Sequence, residues 1–60
     1  MNKEEVIYHL QGKLYGLPLA LQHTIFEGMY RIECGIDPNK ILDWYNKIEK
    51  LYNETIRKQN

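Results

Sequence analysis

Hydrophobic positions along this chain recur at helical spacing, and capping residues divide them into three segments. In the first, Val6, Ile7, Leu10 and Leu14 fall on one side at about 100° per residue. Asn2 is a good N-cap, and Glu5 three residues on completes an N-x-x-E variant of the capping box, with Met1 and Val6 at the staple positions. Gly12 interrupts this segment and Gly16 ends it, so a helix is expected over 3–15 with a weak last turn that stops as early as Gln11. The second helix is expected over 18–34, with Pro18 at its first position and Gly35 as a left-handed C-cap. Its apolar stripe is Leu21, Ile25, Met29 and Ile32, and Gly28 on the same side allows a neighbour to approach closely.

The third segment, 38–58, carries the clearest signals. Asp37 is its N-cap and Pro38 its first residue, and Ile36 and Ile41 form a hydrophobic staple across the cap. With Ile41 as heptad position a, the a and d positions are Ile41, Trp44, Ile48, Leu51 and Thr55. Tyr45, Tyr52, Leu42 and Ile56 broaden the apolar arc to roughly 160°, wider than a single-neighbour seam. The opposite side is charged, with Asp43 before Lys47 and Glu54 before Lys58 in the favourable i,i+4 order. Short connections place consecutive helices side by side. The expected fold is therefore all-α: one domain, a small three-helix antiparallel bundle or helical hairpin with a long C-terminal helix. The broad arc of that helix suits contact with both others, or with a second copy that completes the core.

Composition narrows the function classes. The sixty residues carry eight Lys plus Arg and eight Asp plus Glu, so the formal net charge is zero. At 43% hydrophobic with four Gly and two Pro, the chain is neither a disordered tail nor a low-complexity segment. Its longest apolar run is three residues, Leu19 to Leu21, and no signal-peptide pattern opens it, so a cytoplasmic protein without a membrane span is expected. One Cys cannot form an internal disulfide. Lys, Asn, Ile and Tyr, all with AT-rich codons, supply 23 of the 60 residues, which points to a phage or low-GC bacterial gene.

A domain of this length buries only about 60% of the surface its unfolded chain exposes, and small domains gain further stability from disulfides, metals or partners. His9, His23 and Cys34 are the soft ligands present and none forms a metal-pair spacing, so neither metal nor cofactor is expected. A second protein surface then becomes the expected source of extra burial.

Three candidate functions follow. A second stripe on helix two consists of Leu19, His23, Phe26 and Tyr30, turned well away from Ile25, with Tyr8 and Tyr15 turned away from Leu10 on helix one. Clustered aromatics outside one core mark an interface; the alternative is that helix two sits between its neighbours and uses both stripes internally. The turn Cys34-Gly35-Ile36-Asp37 also has the length of a DNA-binding helix-turn-helix, with Asn39, Lys40, Asp43, Asn46 and Lys47 as polar candidates. Against this, Arg31 stands where a small residue is wanted, and no net positive charge is available for phosphates. Catalysis has the least support. Cys34 lies at a helix C-terminus, whose field raises a thiol pKa, and His23 is about 16 Å away along the same helix. No Gly-rich phosphate loop and no carboxylate pair appear, so neither an enzyme nor a small-molecule substrate is expected. The expected function is a non-enzymatic regulator, inhibitor or adaptor that occupies a larger protein's surface or homodimerises, with inhibition of a host protein as its phage version. The alternative is a dimeric helix-turn-helix DNA-binding regulator.

Overall fold

Helix boundaries follow the caps. In the computed structural model, which describes residues 1–59, α1 spans Lys3–Lys13, α2 spans Leu19–Glu33 and α3 spans Pro38–Gln59. Both bonds of the capping box form on α1: the Glu5 N–H donates to Asn2 Oδ1 at 2.9 Å, and the Asn2 N–H donates to Glu5 Oε1 at 3.4 Å. α1 stops at Lys13 rather than at residue 15, so Tyr15 lies in the turn, whose Gly16 has φ +77°. α2 begins one residue later than expected because Pro18, with extended ψ 149°, is its N-cap and not its first helical residue. The Pro18 carbonyl accepts from the N–H groups of Leu21 and Gln22.

The α2–α3 turn is a Schellman motif. The Gly35 N–H donates to the Ile32 carbonyl at 3.0 Å and the Ile36 N–H to the Arg31 carbonyl at 3.1 Å, with Gly35 at φ +103°. Asp37 then caps α3 by accepting from the Asn39 N–H at 3.0 Å. These two caps end one helix and start the next within four residues.

The three helices alternate in direction. Met1 and Asn39 exchange hydrogen bonds, the N-terminal ammonium to Asn39 Oδ1 at 3.4 Å and Asn39 Nδ2 to the Met1 carbonyl at 2.8 Å. Lys3 at the start of α1 pairs with Glu33 at the end of α2, and Lys13 at the end of α1 reaches Glu49 of α3. α1 and α3 therefore run parallel, with α2 antiparallel to both, and α3 packs on each of the others. Val6, Leu10, Ile25, Ile32, Ile41 and Tyr45 form the buried cluster, with Met29, Leu42 and Trp44 packed partly buried against it. Gly28 brings α3 close: a Cβ there would stand 3.0 Å from Ile41 Cγ2 and 3.3 Å from Trp44 Cζ3.

One expectation about α3 is corrected. Its apolar arc is not core along its whole length: Ile41 and Tyr45 are buried, Ile48 and Tyr52 partly so, while Leu51 is 62% exposed and Thr55 and Ile56 are exposed. The reason is length. Twenty-two residues extend about 33 Å, whereas the eleven of α1 and fifteen of α2 reach only about 16 and 22 Å, so the last turns of α3 run past both neighbours. The principal extents of 38 × 20 × 17 Å reflect this overhang. The charged side of α3 is solvated: Asp43, Lys47, Lys50, Glu54 and Arg57 are exposed and neither Asp43–Lys47 nor Glu54–Lys58 closes to an ion pair, whereas among the described residues Glu27–Arg31 does at 2.9 Å. Exposed pairs gain little over the rotamer entropy they cost.

Candidate docking surface

The face that the second stripe of α2 occupies is set by helix geometry. At 100° per residue, Leu19, His23, Phe26 and Tyr30 centre about 160° from the buried set Leu21, Ile25, Gly28 and Ile32. The stripe accordingly faces solvent. Leu19 is 68%, Phe26 50% and Tyr30 70% exposed, and His23 is exposed as well. The internal use of both stripes that the sequence left open is thus not what the chain adopts. No charged residue lies in the stripe. Glu27, beside it, is engaged by Arg31, and Glu33 at its end by Lys3.

Tyr8 and Tyr15 are also exposed, but on a different face. Tyr8 lies about 180° from the buried pair Val6 and Leu10. With Tyr15 it flanks an open groove of ≈ 680 Å³ lined also by Gln11, Gly12 and Leu14, with no α2 residue in its wall. The outer sides of α1 and α2 turn away from the shared core in different directions. The six aromatic and aliphatic positions picked out by the sequence therefore form two surfaces, not one.

The helix-turn-helix candidates have a mixed placement. Lys40, Asp43, Asn46 and Lys47 are exposed on α3, whereas Asn39 is held by both ends of the Met1 residue. Arg31 solves its packing problem by reaching over the face of Trp44, its guanidinium carbon 5.0 Å from the ring centroid. Cys34 is exposed. No three His, Cys, Asp or Glu side chains among the described residues converge to hold a metal ion. No helix among them is long and apolar enough to cross a membrane.

No family model, curated protein or solved structure matches the chain. The site rests on its geometry alone.

One polar cluster was not foreseen. Tyr45, fully buried, donates its phenol to Glu49 Oε2 at 2.7 Å, and Lys13 Nζ stands 3.9 Å from the same oxygen and 5.8 Å from the Tyr45 ring centroid. Burial, the bond to Glu49 and the Glu49 charge together push the Tyr45 phenol well above its ordinary value of 10. The signal was present in the sequence as a Tyr with an acid four residues on. Only the approach of Lys13 from α1 shows that it closes an inter-helix lock, which is structural and lies apart from the α2 stripe.

Proposed function

We propose that this chain is a non-catalytic protein-binding module, a regulator, inhibitor or adaptor that acts by laying the outer face of α2 against a larger protein. The single observation that carries this reading is the uncharged, solvent-facing stripe opposite the core. Its anchors at i, i+4, i+7 and i+11 have the spacing that helix-in-groove recognition uses. Aromatic residues exposed in such a row are the side chains that dominate interfaces, because they exclude much water at small entropic cost. Phe26 and Tyr30 are the expected anchors, each losing about 2 kcal/mol or more of binding when truncated.

The test is a comparison of three chains immobilised on a column: the native protein, the double variant Phe26→Ala/Tyr30→Ala, and Tyr8→Ala. A protein retained by the first and third but released by the second supports the α2 face. Equal retention by all three overturns it. Retention of the native chain on heparin or DNA that falls steeply with salt would favour phosphate contacts and displace this reading.

A further inference from the structure

The spacing of the α2 stripe is a palindrome. Leu19, His23, Phe26 and Tyr30 are separated by four, three and four residues, so the row reads the same in both directions. This matters because an antiparallel helix pair related by a two-fold axis matches residue n with residue 49 − n when the axis passes between Thr24 and Ile25. Leu19 then meets the partner's Tyr30, and His23 meets the partner's Phe26. Alternating four- and three-residue steps are also the seam spacing of paired helices. We infer that a second copy of this chain covers the stripe, α2 against α2 in antiparallel register, whenever no other protein occupies it.

Charge agrees with this register. The seam positions carry no charge, and Glu27, which flanks the seam, lies nearest the partner's Ala20 on the same flank, with its own carboxylate engaged by Arg31. The first turn of α2 has neither a side-chain cap nor an acidic residue. The register sets the partner's Glu33 opposite Gly16, beside that turn, where a carboxylate is favoured by the positive end of the helix. Parallel pairing would instead stack His23 on His23 and bring the two uncapped N-termini together.

The area is sufficient for a weak dimer. Taking about 200 Å² for a whole aromatic side chain, the exposed parts of Phe26, Tyr30 and Leu19 supply about 350 Å² per chain. With both copies and the flanking residues the total reaches about 1,000 Å², at the lower edge of specific interfaces. An area this small belongs with weak, transient encounters, so association is sought from the micromolar to the sub-millimolar range.

The inference rests on the reading of the stripe as a docking face and names what covers it. Two measurements on the native chain test it. Sedimentation equilibrium across roughly 5 to 500 µM, bracketing that range, is expected to show the mass rising from 7.2 kDa towards twice that value. A spin label on the exposed Cys34 reports direction, because the antiparallel register separates the two Cys34 positions by about 28 Å along the helices. Parallel pairing would bring the labels within about 10 Å, the spacing of packed helices, and would overturn the register. A monomer throughout the range overturns the inference while leaving stripe-dependent retention of a foreign protein standing, so the two proposals fail separately. Phe26→Lys and His23→Glu should each abolish the mass increase, with circular dichroism confirming that each still folds. The double variant His23→Glu/Phe26→Lys should restore it, since position 23 faces position 26 across the axis. Failure of the double variant to recover overturns the register, and Tyr8→Glu, on the other face, should leave the mass increase unchanged.

Discussion

Replacing Gly28 by Ala and Gly12 by Ala makes the same chemical change at two helical positions, and the structure sets opposite outcomes for them. Glycine inside a helix costs about 1 kcal/mol relative to alanine through backbone entropy. At Gly12, a new Cβ meets nothing within 4 Å, so the propensity gain is free to appear. Because Gly12 is next to the last residue of α1, the gain should be about 0.5 kcal/mol. At Gly28 the Cβ stands 3.0 Å from Ile41 Cγ2 and 3.3 Å from Trp44 Cζ3, against about 3.5–4.0 Å for a relaxed carbon contact. Trp44 is only partly buried and can rock outward, at the expense of its cation–ring contact with Arg31. Ile41 is held inside the buried cluster and cannot yield without parting α2 from α3. Overpacking of this kind costs about 1–3 kcal/mol. Taking about 2 and subtracting the propensity gain of about 1 leaves a net loss near 1 kcal/mol. For a domain of this size that lowers Tm by about 8 °C, while Gly12→Ala raises it by about 4 °C. Thermal melts followed by far-UV circular dichroism, together with urea titrations of the same samples, read both shifts. A Gly28→Ala protein as stable as the native chain, or more so, would refute the close α2–α3 contact. A destabilised Gly12→Ala would refute the open environment of α1's outer face.

Other expectations follow from single features of the fold. Gly35→Ala forces a Cβ into the φ +103° position of the Schellman motif and should cost about 1–2 kcal/mol, seen as a lowered urea midpoint at unchanged slope. Tyr45→Phe removes the phenol that Glu49 accepts from and should cost about 1 kcal/mol at neutral pH, discounted from the value for a charged acceptor because Glu49 is partly solvated. The native chain should also lose stability with rising alkalinity. The folded phenol has a raised pKa, so its contribution is complete below the unfolded value of 10 and declines as pH climbs from there towards the folded value. Denaturation at a series of pH values should show this decline in the native chain and a shallower one in Tyr45→Phe. Phe26→Ala/Tyr30→Ala, outside the core, should shift the dilute monomer's stability by less than about 0.5 kcal/mol per site; loss of the fold would place the stripe inside the core.

Local signals made most of the architecture legible. Asn2 with Glu5, Gly35 and Asp37 each specify a backbone event within a few residues, and each forms as its residue type dictates. The stripe Leu21, Ile25, Ile32 and the small Gly28 were readable for the same reason, since a helix converts spacing into direction. What failed to transfer was how far a pattern stays buried. The apolar arc of α3 continues through Leu51 to Ile56, but amphipathicity says only which side a residue is on. Burial there depends on whether α1 and α2 reach that level, and they are too short. Pro18 is a smaller instance: proline fits either the cap or the first turn, and here its ψ of 149° makes it the cap.

The second stripe of α2 shows where a wheel diagram needs one more physical step. Whether one helix can bury two stripes depends on the angle its neighbours subtend. When three helices pack at similar interaxial distances of about 8–10 Å, their axes form a near-equilateral triangle, and from any one of them the other two lie about 60° apart. Side chains reaching both neighbours then fill an arc little wider than that, and Leu21, Ile25, Gly28 and Ile32 span about 60° themselves. A row centred about 160° from that arc has no neighbour to meet in any arrangement of three such helices. Gly28 strengthens the constraint, since by admitting Ile41 and Trp44 it fixes the α3 contact of α2 on the buried side. The triangle of helices is therefore enough to turn Leu19, Phe26 and Tyr30 outward, because none of the three offers them a covering surface.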